Sequence, residues 1–490
     1  MKFSKLIKSI VLAAFCIFLL SCISKADPDI ALIETIENNL LPSIMIEGGG
    51  MEGMNIYERM EYYHVPGVSI AFLNRGEIVW AKGYGYTSAD SSRLVDENTI
   101  FQAASISKPL TAMAALALVE EGKIGLDDDV NLYLKSWQLE ENRFTSEEKV
   151  TLRRILSHSA GLTVHGFGGY ASGEKVPTSV QVLSGEDPSN SGRIFPDTVP
   201  GAHYSYSGGG YTVMQLMLCD ITGKTFPELM EELVLSKIGM KSSTYEQPLP
   251  ETSWENAARA HDDAGEMIEG RWHTYPEMAA AGLWTTPGDL LRYVMEVQQS
   301  YAGASNLILS REMTREMLTP QLNNHGLGPG VGGSGDSITF SHGGANRGFR
   351  CGLLAFTKQG QGLVMMTNGT RGGELMSEIR RSFSASYGWN IKPELKSLAP
   401  LEKKDLEAFL GQYMLRYDKQ ELILEISLLD KHLKGLQIWN DFLFEMYPES
   451  ATRFFNMDDG AEFEFSLNEE GDVTAIQVYE HGQVYTFSKI

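Results

Sequence analysis

Phe101-Gln102-Ala103-Ala104-Ser105-Ile106-Ser107-Lys108-Pro109-Leu110 decides how this chain is read, because it runs straight into Thr111-Ala112-Met113-Ala114-Ala115-Leu116-Ala117-Leu118-Val119. Apolar at nearly every position, the second stretch predicts a helix buried on most sides. Pro109 is tolerated only in a first turn, which places the helix start near Ser105 to Ser107. Ser105 and Lys108, three apart, then share one face about a turn from each other. The serine oxygen sits at the positive end of the helix, where developing negative charge is favoured. That is an activated nucleophile with an amine beside it. The spacing alone is common: Ser146 to Lys149 lies in a charged stretch and Ser172 to Lys175 in a Gly-containing loop. Only Ser105 opens a buried helix.

Length and composition bound the rest. At 490 residues the chain has room for two or more domains and a large core. Its formal net charge of −22 opposes binding to nucleic acid or to an anionic lipid surface. Lys2, Lys5 and Lys8 precede an apolar run from Ser9 to Leu20, a pattern that predicts a secretory signal over residues 1–21 rather than a membrane span. Leu19-Leu20-Ser21-Cys22 resembles a bacterial lipobox, which implies lipidation of Cys22; ordinary cleavage after Ser24-Lys25-Ala26 is the alternative. The expected location is therefore outside the cytoplasm, periplasmic or as an outer-membrane lipoprotein, with membrane contact only through that anchor. Beyond the signal only Cys219 and Cys351 remain, both in apolar surroundings that predict buried free thiols.

Residues 29 to 63 read as helical. Gly67 to Leu73 and Ile78 to Tyr84 read as strands joined by the turn Asn74-Arg75-Gly76-Glu77. Helices separated by long Gly-, Ser- and Pro-rich loops follow from about 125 to 335, the clearest at Val150 to Ser157, Tyr211 to Thr222, Phe226 to Lys237 and Pro287 to Ser300. A loop as long as 163 to 200 usually lines a site or is disordered. Three more strands, Ser337–Phe340, Gly352–Phe356 and Gly362–Thr367, and a helix from Glu374 to Tyr387 end this region. The order describes an α+β fold: an antiparallel sheet flanked by helices, with an all-helical lobe. Residues 29–388 form this catalytic-type domain, 389–402 a linker, and 403–490 a C-terminal domain. Alternation such as Ala461-Glu462-Phe463-Glu464-Phe465 makes that domain a small antiparallel barrel or sandwich.

Several motifs now occur in order. Ser105-Ile106-Ser107-Lys108 resembles the first motif of the penicillin-recognising serine hydrolases, the class C β-lactamase, esterase and D-aminopeptidase branch. Val65-Pro66-Gly67-Val68-Ser69 and Thr99-Ile100-Phe101 are similar to that family's strand lead-in. Leu156-Ser157-His158-Ser159-Ala160-Gly161-Leu162 is similar to its Leu-Leu-x-His-x-Ser-Gly-Leu stretch, and Ala281 to Thr286 resembles a further segment. Tyr204-Ser205-Tyr206-Ser207-Gly208 stands where Tyr-x-Asn belongs, and His342-Gly343-Gly344 where Lys-Thr-Gly belongs. The resemblance implies a transpeptidase-like fold with Ser105 as nucleophile. Lys108 and Tyr206 would handle its proton, and the backbone N–H groups of Ser105 and Ala345 would form an oxyanion hole. It also implies that His342 replaces the lysine facing a substrate carboxylate, and that no cofactor is needed.

The departures point to specificity. Gly208 stands for an asparagine that grips an acylamino group, Gly343 for a hydroxyl residue, and neutral His342 for a fixed cation. Three polar contacts with a β-lactam are missing, and a site lacking its hydrogen-bonding groups discriminates poorly for a substrate that offers them. Gly344 completes the substrate-binding edge, and Arg347 or Arg350 could supply a cation. The expected activity is acyl-enzyme hydrolysis of an ester or a peptide, on a small-molecule or peptide substrate. A D-Ala-D-Ala carboxypeptidase or β-lactamase is one rival, and a non-catalytic binder of cell-wall or peptide ligands another. Against each role stands a structural one: Ser105 and Lys108 as helix cap and ion-pair partner, Tyr206 as packed core, His342 as a hydrogen-bond donor. His158 reads as a buried structural histidine. The remaining His and Asp residues show no H-E-x-x-H spacing for a metal, and no G-x-S-x-G elbow exists. The oligomeric state is left open.

Overall fold

The computed structural model describes residues 28–49, 53–417, 420–439, 442–458, 460–480 and 483–490. The predicted signal over 1–21 and the lipidation site Cys22 lie outside the described residues. The chain divides into two compact units, Tyr57–Met376 and a second made of the residues before Tyr57 together with Ser377–Ile490.

In the first unit the sheet starts at the expected hairpin. Strands β1 (Gly67–Asn74) and β2 (Glu77–Gly85) are antiparallel. Between them Arg75 and Gly76 both have positive φ, 53° and 80°, the two-residue turn whose twist matches that of the strands. After a long helical insertion come β3 (Gly330–Gly332), β4 (Thr339–Asn346), β5 (Phe349–Phe356) and β6 (Gly362–Thr367). The six strands lie in the order β2-β1-β6-β5-β4-β3, every neighbouring pair antiparallel. Every residue of β1 and of β6 is buried, as central strands covered on both faces must be.

The insertion carries α1 (Ser107–Glu120), α2 (Gly208–Thr222) and α3 (Pro287–Ala302). Helix α3 packs on the sheet at β1 and β6, while α1 lies against the short helix Met278–Ala281. All residues of α1 from Ser107 to Leu118 are buried, so the all-round apolar sequence has the environment it requires. A turn of 3-10 helix, Ala104–Ile106, leads into it. Two expected helices differ in detail. Leu152–Leu156 starts only after Thr151, whose side chain accepts from the Arg154 N–H, and Phe226–Lys237 is split by a π-turn at Glu231–Leu235. The loop 163–200 contains one short helix, Ser179–Ser184, closed by a Thr178–Gln181 capping box.

The reading of residues 29–63 needs correction: the second unit holds helix Pro28–Glu37 and a strand, Ile44–Ile46, while helix Ile56–Tyr62 falls almost wholly in the first unit. Pro42 stops helix propagation and the β-branched run that follows favours an extended chain. That strand pairs in parallel with Glu394–Lys396, which lies inside the stretch read as a linker. Then follow β7 (Gly411–Tyr417), β8 (Gln420–Leu429), β9 (His432–Gln437), β10 (Phe442–Pro448), β11 (Arg453–Phe455), β12 (Glu462–Leu467), β13 (Val473–Glu480) and β14 (Gln483–Lys489). Each pairs with the next, and β14 returns to β7 through Tyr413↔Lys489 and Met414↔Ser488, closing an eight-stranded antiparallel barrel. Phe463 and Phe465 point inward and Glu462 and Glu464 do not, as their alternation requires. Among the described residues no helix is long and apolar enough to cross a membrane.

Lys396 ties its strand to the barrel. Only 2% of its side chain is exposed, and its Nζ lies 2.7 Å from Glu462, 3.1 Å from Glu449 and 3.6 Å from Glu394. Its carboxylate partners are part-exposed, and Glu449 and Glu462 also pair with Arg453, so loss of the amine removes hydrogen bonds and packing without stranding a buried charge. Lys396→Ala is expected to cost about 1 kcal/mol, measured as a lowered denaturant midpoint with fluorescence of the first unit unchanged.

Candidate active site

Among residues 101–118 every side chain is buried except that of Ser105, which is half-exposed. The 3-10 turn holds it there. Ala104 takes φ +48°, a left-handed conformation that an alanine adopts only when its surroundings enforce it, at a cost of about 1–3 kcal/mol. Ser107 fixes the turn from below, its hydroxyl donating to the Ala104 carbonyl at 2.6 Å and accepting from the Leu283 N–H at 3.0 Å.

Lys108, 2% exposed, reaches up the same helix face and places Nζ 3.0 Å from Ser105 Oγ and 2.8 Å from the Ala280 carbonyl. The rings of Tyr206 and Tyr211 stand 4.9 and 5.6 Å from the amine. Among the described residues no carboxylate pairs with it. Burial without a counter-charge lowers its pKa from 10.5 to about 7.

Tyr206 approaches from the loop before α2. Its ring lies 4.1 Å from that of His158 at a 33° tilt, and its carbonyl accepts from the His165 imidazole at 2.5 Å. Burial pushes its pKa up to about 12, and its interaction with Ser105 only partly offsets that. His158 Nδ1 accepts from the Ser207 N–H at 3.1 Å, which orients the ring against Tyr206. Ser105, Lys108 and Tyr206 are thus brought together from two segments about a hundred residues apart.

Strand β4 supplies the opposite wall. A Cβ on Gly344 would fall 2.3 Å from the Ala103 carbonyl and 2.3 Å from Cys351 Sγ, so only glycine lets β4 lie this close to the Ser105 turn. The β4–β5 hairpin turns at Arg347-Gly348, making Asn346 and Phe349 a bonded pair and Ala345 and Arg350 a non-bonded one. The Ala345 N–H therefore points to the outer edge, which β3 does not cover because it pairs only with Thr339–Ser341. Gly343 has open space where a side chain would begin. His342 sits 6.3 Å from Tyr206, ring to ring. Burial and the nearby Lys108 lower its pKa to about 3, so at neutral pH it carries no charge.

Not every expected residue joins the cluster. Cys351 faces Ala103, so the preceding Arg350 faces the other side of the sheet, where its Nη1 donates to the Asn346 and Phe349 carbonyls. Arg350 is therefore not the cation of this site. Arg347 is exposed at the hairpin tip, its backbone N–H held by the Tyr275 hydroxyl at 2.9 Å. Two residues that sequence reasoning passed over, His325 and Phe167, border the site, and a third, Glu277, precedes the short helix whose Ala280 carbonyl meets Lys108. His325 lies 4.8 Å from His158 and 6.4 Å from His342, ring to ring, and burial lowers it to about 4. Glu277, fully buried just before the Met278–Ala281 helix, is pushed up to about 7 by burial. Phe167 fills the place of the missing asparagine: a Cβ on Gly208 would meet its ring at 2.9 Å. No signal marked Phe167, since a lone aromatic in a loop carries no pattern. Cys219 and Cys351 are free thiols, Cys351 buried and Cys219 half-buried.

These features define a member of the beta-lactamase family, and the family's model, described as Beta-lactamase, matches residues 55–384. The chain belongs to this family of serine-hydrolase type. Protein flp of Staphylococcus aureus strain MW2 is 24% identical over 326 residues, covering 62% of this chain and 60% of that protein. The chain thus spans about three fifths of the length of that relative. Penicillin-binding protein 4* of Bacillus subtilis strain 168 is 21% identical over 451 residues, covering 87% of this chain and 96% of that protein. In structure the chain is similar to the octameric penicillin-binding protein homologue from Pyrococcus abyssi, with a TM-score of 0.60, 20% identity, and 89% and 98% of the two chains covered. It is also similar to SurE, solved with D-Leu, with a TM-score of 0.55, 19% identity, and 89% and 97% covered. At these identities the two structures speak for the fold.

The Phe167–Gly208 contact is testable by a double-mutant cycle. Gly208→Asn alone should destabilise the protein by about 1–3 kcal/mol through overpacking. In combination with Phe167→Ala much of that loss should return, giving a coupling well above 0.5 kcal/mol in urea denaturation.

Proposed function

We propose that this chain is a serine hydrolase that takes the acyl group of an uncharged ester, or of a short peptide, onto Ser105 and passes it to water. The observation that carries the reading is a buried amine, Lys108, 3.0 Å from Ser105 Oγ and poised near pH 7. A neutral amine there accepts the serine proton as Oγ attacks the carbonyl carbon. The N–H groups of Ser105 and Ala345 hold the oxyanion that forms. Tyr206, still protonated at neutral pH, relays a proton to the leaving group, and the same pair then activates water against the acyl-enzyme. A structural lysine would sit beside a carboxylate; among the described residues this one has none.

Preference for an uncharged acyl donor follows from the walls. A carboxypeptidase or β-lactamase reading needs a cation for the substrate carboxylate. His342 is neutral, Arg350 faces away, Arg347 stands exposed at the hairpin tip, and Phe167 occupies the acylamino position. A fluorophosphonate probe should label the wild type but not Ser105→Ala, and short p-nitrophenyl esters should be turned over far faster than nitrocefin. Labelling absent from the intact wild type would leave only a binder. Because the base is the neutral amine, kcat/KM should fall about tenfold per pH unit below about 7 and level off above it. His158, His325 and His342 titrate well below that range, and Glu277→Gln should leave the inflection in place, which separates Lys108 from the buried carboxyl.

For location we propose export with a lipid anchor at Cys22, supported by the basic start, the apolar run and Leu19-Leu20-Ser21-Cys22. In cells the wild type should fractionate with membranes and take up labelled palmitate. Cys22→Ala should do neither, and equal fractionation of the two would sink the anchor.

A further inference from the structure

The barrel is closed at one end and hollow at the other. Its floor is a stopper made by the turns Lys403–Leu406 and Glu407–Phe409. Leu406 and Phe409 are buried in the barrel core, the Phe409 ring lying 4.4 Å from Phe465 and 5.3 Å from Phe454. The Tyr413 hydroxyl pins the stopper by donating to the Phe409 carbonyl at 2.7 Å. Above this packed half, toward the end where β7 meets β8 and β13 meets β14, lies a cavity of about 240 Å³.

Eight strands make a barrel just wide enough for its side chains to fill, or for one small ligand. Here the upper half is left unfilled for a visible reason. Gly435 stands opposite Phe444 on the neighbouring strand, and a Cβ on Gly435 would fall 2.2 Å from the ring. The ring therefore lies flat along the wall, stacked on Phe463 at 5.2 Å and 9°, instead of reaching across the lumen. The remaining wall is aliphatic and aromatic: Leu415, Leu422, Leu424, Val478 and Phe487. Among the described lining residues the polar side chains are Gln437 and Tyr485, and none is charged. Trp439 stands at the rim, and Ile438, Leu443 and Val484 beside it are exposed apolar residues of the same end.

We propose that this cavity is a binding site for a single unbranched fatty acyl or alkyl chain, taken up end-on with its head group left at the mouth. An apolar hollow of this size, with exposed apolar residues at the same end and no charge among its described lining residues, selects hydrocarbon and leaves a charged head outside. Gln437 can hydrogen-bond an uncharged head, such as an alcohol or ester. The site lies wholly within the barrel unit, so the proposal stands independently of the chemistry at Ser105.

The test uses the full chain carrying Ser105→Ala, so that no acyl-enzyme can take up the probe. cis-Parinaric acid should bind saturably at one per chain, with energy transfer from Trp439, the only tryptophan in residues 403–490. Trp439→Phe should abolish the barrel's energy transfer while leaving displacement intact. n-Alkanols from octanol to dodecanol should displace the probe with affinity rising about fourfold per methylene until the cavity is full. Val478→Trp, which fills the lumen, should remove binding while far-ultraviolet circular dichroism and p-nitrophenyl ester turnover in the Ser105 background stay unchanged. Should that variant fail to fold, Leu415→Phe fills less of the same space and should weaken binding at least tenfold. Absence of saturable binding, or equal affinity in a folded cavity-filled variant, overturns the proposal; the second result would place the probe in the hydrolase cleft or on the surface.

Discussion

The first unit depends on one costly arrangement: an ammonium-bearing side chain taken out of water with no carboxylate, among the described residues, to meet it. Desolvation disfavours the charged form, and Lys108 drops from 10.5 to about 7. The sign matters for stability. In the unfolded chain this amine holds its proton up to its ordinary pKa, so folding at neutral pH works against that proton. The penalty eases as pH rises from about 7 toward 10.5. The surrounding fold offsets it with a helix that is apolar on every side, an arrangement that fits the proposed chemistry. A carboxylate beside Lys108 would have been stabilising and would have locked the proton in place.

The same logic explains the backbone around Ser105. Ala104 is held in a left-handed conformation, and Gly344 brings β4 to the back of that turn. Each is unfavourable or restrictive alone. Together they thrust one hydroxyl out of an otherwise sealed helix start and lay an unpaired strand edge beside it. Tyr206 is held from the far side by the His158 ring and by His165 on its own carbonyl. A tyrosine so buried keeps its proton at neutral pH, which fits the proposed division of labour, with the lysine as acceptor and the phenol as relay.

Much of this was legible before any coordinates. Ser105 and Lys108 could be selected over Ser146–Lys149 and Ser172–Lys175 because only the first pair opens an apolar helix, and burial is what local sequence reports well. The hairpin at Arg75-Gly76 and the alternation at 461–467 were equally plain, since both follow from short-range periodicity. What failed was non-local. Nothing adjacent to Arg350 says which face of the sheet it takes; that depends on the phase of the whole β4–β5 ladder. Phe167 and Gly208 are forty residues apart, so the filling of one by the other has no signature. Residues 44–46 looked helical because their strand partner, 394–396, lies about 350 residues away.

The departures from the family's motifs also cohere once placed in space. Replacing an asparagine by Gly208 would by itself leave a hole, but Phe167 enters it, turning a polar contact into an apolar wall. Replacing a lysine by His342 removes a fixed charge, and burial next to Lys108 ensures that the imidazole does not restore it. A second cation there would also raise the electrostatic cost of protonating Lys108, so the neutral histidine lets the catalytic amine keep a pKa near 7. On the proposed reading, loss of the substrate-facing cation and tuning of the base are one adjustment, and both favour a substrate that brings no carboxylate.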